Sequence, residues 1–512
     1  MRDVKMRQYE IFEVKIQGEE PKGSQVEVDV KGRFFHNGTE QIVRGFYAGE
    51  DTYIVRFYPE EAGSYTYQIE GVAGAVSEEA CIECKPAEKN RHGMVRPDET
   101  HFRYADGTWF YPFGTTVYAF SHQEDERVAE TFETLAEAPF NKIRMCVFPK
   151  HYDYNHNEPL YYAFEKTEGK WDVHKPCMAF WDRLESHIRK LDEMGIQCDL
   201  ILFHPYDNWG FSKLSREEAL VYLDYVTRRF GAFPNVWWSL ANEYDLMDYE
   251  MEDWECFAQF LHDHDGWGHL LSNHQIVRPW DFSNPNTTHI CHQTSELDFL
   301  SGQIRKFQKP LMVDECCYEG NIPWDWGNIS GFELVHRFWT VCMQGGYCTH
   351  GETYLNEEEV LWWSKGGKLV GESPARIGFL REILESLPGP LTFSGRDVTE
   401  ESFEQMKKAI PEEARQEPFV KLMLKLPWEE ARGMANAGRE MAGNCGDGVY
   451  MKYYGRHRKS SGTFALPKEN RYDVEVIDVW EMTRTKVLEQ VNGEVQVPLP
   501  GKEGIAVLAR KR

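Results

Sequence analysis

Two glutamates, Glu243 and Glu315, stand where a chain of this kind can do chemistry. Glu243 closes the stretch at residues 236–245, VWWSLANEYD, which runs mostly apolar from Val236 to Leu240 and then turns polar at Asn242, Glu243, Tyr244 and Asp245. A second run at residues 310–315, PLMVDE, ends the same way in Glu315. Short apolar runs rich in β-branched and aromatic residues read as buried parallel strands. In an α/β barrel, the polar residues that follow such strands lie at the C-terminal mouth, where the chemistry sits. The spacing of the two runs leaves room for two further βα units between them. Two carboxylates at one barrel mouth suit glycoside hydrolysis, which needs an acid/base on one side of the scissile bond and a nucleophile on the other. The plainer reading is that Glu243 caps the following helix and Glu315 is a solvated loop carboxylate.

The sequence resembles clan A of the glycoside hydrolases, the retaining (β/α)8 enzymes of the cellulase-like superfamily. Asn242-Glu243 after strand 4 and Glu315 after strand 7 carry the resemblance, which spans roughly residues 108–387. It implies Glu243 as general acid/base, Glu315 as nucleophile, Arg144 beneath the nucleophile and Asn242 at the substrate's 2-hydroxyl. His204 matches the strand-3 histidine of cellulase-like members. The other expected substrate contacts come from predicted strand ends and loops: Tyr118, Asp207, His292, His350, Glu352 and Trp363. There are departures. Many members carry a tyrosine after strand 6 that bonds the nucleophile, but Ile290-Cys291-His292-Gln293 has none. Many end strand 8 in a tryptophan, but here the residues are Thr349-His350-Gly351-Glu352, with Trp362 and Trp363 further on. The glycan and linkage are therefore open, and a structural ion pair stays a second reading of Arg144.

Two other functions fit some of the same residues. Histidines follow several predicted strands (His204, His274, His292, His350) and offer a metal-dependent hydrolase. Against it, no His-x-His stands in strand 1, and His289 and His292 in one strand would face opposite sides. A non-catalytic carbohydrate-binding barrel would be favoured by loss of one glutamate, and both are present. The expected reaction needs no cofactor and no metal.

The chain has 512 residues, 41% hydrophobic and 14% aromatic, too many for one core. Its formal net charge of −26 disfavours nucleic acid and anionic membrane as partners and suits a neutral oligosaccharide or glycoside. No apolar run reaches about 18 residues, so no membrane span is expected. Residues 1–16 lack the apolar core of a secretory signal. The twelve cysteines are scattered through apparent core elements, which suits reduced thiols and a cytoplasmic location. Cys81 and Cys84 have the spacing of half a zinc ribbon, but no second pair follows, so both read as strand residues. A homo-oligomer is left open.

The expected fold is α/β: a TIM (β/α)8 barrel flanked by an N-terminal β-sandwich and a small C-terminal β-domain. Residues 1–86 alternate with period two, and RFYPEEAGSYTY resembles the immunoglobulin-like domain that precedes many such barrels. Residues 87–440 carry the barrel, with strand 1 expected at residues 109–113, a floor hairpin before it and a long loop at residues 149–175. A strand at residues 422–426 and a helix at residues 428–441 are expected before the C-terminal β-domain, residues 441–512. The strand-2 loop and the N-terminal sandwich are expected to close one end of the cleft and favour exo action on oligosaccharides.

Overall fold

Eight short strands, each an apolar run, form the parallel sheet at the centre of the computed structural model. They are β1 (Phe113–Thr116), β2 (Lys142–Cys146), β3 (Gln197–Phe203), β4 (Val236–Ala241), β5 (Leu271–Ser272), β6 (Ile290–Gln293), β7 (Leu311–Glu315) and β8 (Tyr347–His350). Their order is β5-β4-β3-β2-β1-β8-β7-β6, so β1 pairs with β8 and the sheet nearly closes. At the seam between β5 and β6, the Thr288 N–H donates to Leu271 O (2.8 Å) and Ser272 Oγ donates to His289 O (2.8 Å). Every residue of β3 and β4 is buried, as expected of strands covered on both faces. The structure describes residues 6–71, 77, 79–395, 399–437 and 440–512.

The expected strand 1 is displaced. Trp109–Phe110 pairs antiparallel with Phe102 and Arg103 in a hairpin, and the barrel strand starts only at Phe113. Pro112 lies at the break: it has no N–H for a ladder and restricts the residue before it. The hairpin plugs the barrel floor, with the Phe102 ring 5.3 Å from Trp237 and 5.6 Å from Tyr347. The long loop after β2 contains a hairpin of its own, Phe164–Thr167 with Lys170–Pro176. Its turn residues, Glu168 and Gly169, have φ of 53° and 82°, the positive pair that a tight hairpin turn requires.

The described chain falls into two compact units. The first (residues 1–295, 304–334 and 347–378) holds the N-terminal sheets and all eight barrel strands. Its N-terminal part packs a five-stranded sheet against a three-stranded one, with Phe34 and Phe57 stacked at 4.0 Å in the core. This sandwich sits on the barrel's outer helices Met178–Glu193 and Arg216–Phe230. Buried Arg56 ties the two together. It donates to Glu13 (2.8 Å) within the sandwich and to Glu185 (2.7 Å) and the Arg229 carbonyl (2.7 Å) in those helices.

The second unit (residues 296–303, 335–346 and 379–512) has a six-stranded sheet and a two-stranded one around a core that includes Phe464, Tyr472 and Val507. The strand expected at residues 422–426 is instead the end of a helix, Pro418–Lys425. Pro418 opens it, where its fixed φ and missing N–H are tolerated. Phe419, Leu422, Met423 and Leu426 recur at helical spacing. The next helix is Trp428–Ala437; residues 438 and 439 of the longer expected helix lie outside the described residues, and Met441 begins a strand. Among the described residues, no helix is long and apolar enough to cross a membrane.

Candidate active site

Strand β4 ends at Ala241, and the backbone then turns sharply. Glu243 takes the left-handed conformation (φ 55°, ψ 56°), a strained choice for a residue with a side chain. The strain is held by hydrogen bonds on either side. Asn242 N–H donates to Phe203 O (2.9 Å), and Tyr244 N–H donates to His274 O (2.9 Å). The Glu243 N–H itself donates to His274 Nδ1 (3.3 Å). Burial, followed by the Arg144 charge, pushes the His274 imidazole well below its usual range, so the ring is neutral. With Nδ1 accepting, Nε2 carries the proton and lies 3.8 Å from Glu315 Oε1. The imidazole thus holds the Glu243 backbone and lies beside Glu315 without a hydrogen bond to it.

Glu315 is the last residue of β7 and sits above a buried ionic layer. Lys142 lies 2.6 Å from Asp199 and 2.9 Å from Asp314, and Arg144 reaches Asp199 (3.6 Å), Asp314 (3.9 Å) and Glu315 (3.6 Å). Burial favours a neutral Asp314, but Lys142 and Arg144 outweigh it and hold that carboxyl below its usual range. Arg144 also donates to the Tyr118 hydroxyl (3.3 Å) and to Asn242 Oδ1 (3.2 Å). Tyr118 in turn donates to Glu315 Oε1. The departure noted after β6 is filled from a different strand: Tyr118, following β1, is the tyrosine on Glu315.

The two carboxyl groups are not equivalent. Glu243 accepts from the Tyr206 hydroxyl, whereas Glu315 has Tyr118, Arg144 and His274 around it. Burial, and after it the Glu243 charge, pushes the Glu315 carboxyl up to about 7, against the pull of Arg144, Tyr118 and Lys150. The pair is one titrating unit that keeps a proton to near neutrality.

Glu243 and Glu315 line one pocket of about 120 Å³. Tyr118, Tyr152, Tyr206, Tyr318, Trp326 and Trp363 give it aromatic walls, and Lys150, Asn242, Ile276 and Gln293 complete the lining. Trp326 and Trp363 stand 5.1 Å apart, and Trp363 meets Tyr118 edge to face at 5.8 Å. Lys150 is one of several unforeseen members. Its Nζ lies over the rings of Tyr118 (3.7 Å), Tyr206 (4.4 Å), Trp363 (5.0 Å) and Tyr152 (5.4 Å). Burial lowers its pKa, while Cys146, Glu243 and Glu315 work the other way. Among the described residues no carboxylate forms an ion pair with it.

Of the residues expected at the site, the structure brings together Glu243, Glu315, Asn242, Tyr118 and Trp363, with Arg144 directly below. The others lie elsewhere. His204 is buried with Nε2 3.1 Å from Phe148 O. Asp207 caps its own loop, accepting from the N–H groups of Trp209, Gly210 and Ser212. His292 turns to Gln275 (3.0 Å), while its neighbour Gln293 reaches the pocket. His350 and Glu352 are buried outside the pocket lining. None of the lining residues comes from residues 1–86, so the sandwich does not wall the pocket. Lys150, Tyr152 and Tyr206 sit on loops, where no periodic pattern marks them. Only their closeness to predicted strand ends signalled them.

A nearly closed parallel barrel with two strand-end glutamates in one aromatic pocket defines a glycoside hydrolase of the barrel class. The apiosidase-like catalytic domain model matches residues 96–388, and the chain belongs to that family. Two domains of unknown function flank it, DUF5060 over residues 5–71 and DUF5605 over residues 438–510. A Bacteroides vulgatus ATCC 8482 protein proposed to be a glycoside hydrolase has a crystal structure that is 32% identical with a TM-score of 0.84, covering 99% of this chain and 100% of that one. A family 5 glycoside hydrolase from the same organism is 13% identical with a TM-score of 0.59, covering 83% and 95%, and shares the fold. No curated protein matches the chain.

Proposed function

We propose that the chain is a retaining glycosidase that removes single terminal sugars from oligosaccharides or small glycosides. The observation that carries this reading is the unequal pair of glutamates in one small pocket. Arg144, Tyr118 and Lys150 favour an ionised Glu315, the nucleophile. Glu243, across the pocket, is then the acid that supplies the leaving oxygen's proton. In the first step a Glu315 oxygen bonds to the anomeric carbon as the glycosidic C–O bond breaks. The bonding pair leaves with the aglycone oxygen, which takes the Glu243 proton. In the second step water attacks the same carbon, Glu243 takes a water proton, and the Glu315 ester bond breaks. Asn242 Oδ1 is held by Arg144, which leaves Nδ2 to donate to a substrate hydroxyl, and Lys150 supplies further donors.

The pocket volume of about 120 Å³ supports exo action, since it suits one sugar ring against aromatic faces rather than a run of rings. The family description makes a terminal apiosyl residue the first substrate to try. The twelve cysteines, all free, support a cytoplasmic site of action on imported glycosides. A panel of p-nitrophenyl glycosides, apioside included, tests the class. NMR of the first-formed anomer and azide rescue of Glu315→Ala test the mechanism. An inverted product, or near wild-type turnover in Glu315→Ala, would rule it out.

A further inference from the structure

A second group of chemistry-bearing side chains lies just outside the pocket wall. Glu319 follows the wall residue Tyr318, and His350 and Glu352 flank Gly351, where a Cβ would lie 2.0 Å from the Tyr318 ring. Glu319, His350 and Glu352 are fully buried, and one ligating atom from each lies within 4.8 Å of the others. The Gly371 backbone closes on both carboxylates: a Cβ there would stand 2.5 Å from Glu319 Oε2 and 2.6 Å from Glu352 Oε2.

The partners of the two carboxylates are all neutral. Glu352 accepts from the N–H groups of Val370 (2.7 Å) and Gly371 (2.9 Å). Glu319 accepts from Glu372 N–H (2.8 Å), Ser373 N–H (3.0 Å) and the Tyr354 hydroxyl (3.0 Å). No lysine or arginine among the described residues pairs with either. The helix Ser373–Glu385 begins here, and its N-terminus offers about half a positive charge. Two buried carboxylates exceed that, and buried charge calls for a cation or a proton.

His350 separates the cation from the proton. Its Nδ1 lies 3.0 Å from Thr115 Oγ1, which also accepts from Trp362 Nε1 (2.8 Å). Its Nε2 is buried without a partner. In the tautomer whose Nδ1–H donates to Thr115, the one a metal would select, Nε2 is a bare lone pair. This is how a metal-bound histidine is held: one nitrogen on the metal, the other on a protein oxygen. We propose that Glu319, His350 and Glu352 form a structural site for a divalent first-row cation, with zinc the best chemical match. An imidazole and two carboxylates suit zinc, with water in the fourth position. Tetrahedral ligands about 2.1 Å from zinc stand about 3.4 Å apart, so these side chains would close inward on the ion by no more than about 1.4 Å. None of the three lines the pocket, so the ion would brace the segment after β7 against the end of β8 and take no part in bond cleavage.

The test uses the tag-free full chain, stripped with EDTA, dialysed and titrated with zinc sulfate. About one equivalent should bind, raising the melting temperature by roughly 5 °C at saturating zinc. X-ray absorption at the zinc edge should show nitrogen and oxygen neighbours at about 2.0–2.1 Å and no sulfur. His350→Gln should weaken binding at least about 100-fold, with its circular dichroism unchanged. Should that variant misfold, the wild-type absorption spectrum decides the matter alone. Binding below about 0.1 equivalent, sulfur neighbours from the cysteines, or full affinity in a folded His350→Gln would each overturn the site.

Discussion

Replacing Glu243 by Gln removes a charge and keeps the shape, including an acceptor for Tyr206, so its effect on Glu315 can be worked out beforehand. Glu315 is pushed up to about 7, burial contributing most and Glu243 next. Two unit charges at the 5–5.5 Å carboxyl spacing of a retaining pair repel by about 3 kcal/mol at an effective dielectric near 20. That corresponds to about 2 pKa units, which takes a lone Glu315 from about 7 to about 5. It stays above an ordinary carboxyl because burial remains. In the wild type the reactive form is singly protonated, and it is lost as the pair gives up its last proton near pH 7, so the rate should fall on the alkaline side. In Glu243→Gln the only proton left in the pair is on the nucleophile itself. The rate of the first step should therefore rise through about pH 5 and stay level above it. A dinitrophenyl glycoside makes this measurable, because its leaving group needs little protonation. The assay is the burst of dinitrophenolate as a function of pH in a stopped-flow instrument. An alkaline limb near pH 7 that persists in Glu243→Gln would falsify the pairing, since another group must then own it.

Other consequences follow from the same contacts. Tyr118→Phe removes a charge-assisted hydrogen bond to Glu315 and should lower kcat/KM by about 10–100-fold; an unchanged value would mean that Arg144 alone holds the nucleophile. Lys150→Met keeps the aromatic packing and removes the substrate donors, so KM should rise by about 10-fold or more with the melting temperature kept, and a KM within twofold of wild type would remove Lys150 from the binding site. Glu315 is raised in the folded state, so the stability it contributes is complete below about pH 4.5 and is lost as the pH climbs through 7. Relative to Glu315→Gln, urea melts of the wild type should therefore lose about 3 kcal/mol across that window, and a parallel pair of curves would refute the raised value. Arg56→Met strips Glu13 and Glu185 of a buried partner and should destabilise by about 3 kcal/mol, while kcat of the folded protein stays the same, because the sandwich lines none of the pocket.

What the sequence made legible depends on how local each signal is. The strands that carry the two glutamates could be read because burial on both faces writes a continuous apolar run, and a strand end writes a sudden change to polar residues. Glu243 and Glu315 were visible for that reason, and so was the barrel with its two flanking β-domains. The start of β1 was misplaced by four residues because Trp109–Phe110 has the composition of a barrel strand but pairs with Phe102 and Arg103 instead. Composition does not encode the partner. The helix at Pro418–Lys425 shows the opposite confusion, a short apolar run whose period is ambiguous over one or two turns. Side-chain direction was beyond reach at the strand ends. His204, His292, His350 and Glu352 follow strands as Glu243 does, yet each is turned into the protein by a contact from a distant segment, such as the Phe148 carbonyl or the Val370 and Gly371 amides. Lys150 escaped notice because an isolated lysine in a loop looks like a solvated charge. It becomes a buried cation only once four aromatic rings from four separate segments close around it. The barrel supplies the axis along which the two glutamates meet. The polarity of the pocket between them comes from loops, which is where relatives that share the barrel can differ in the sugar they accept.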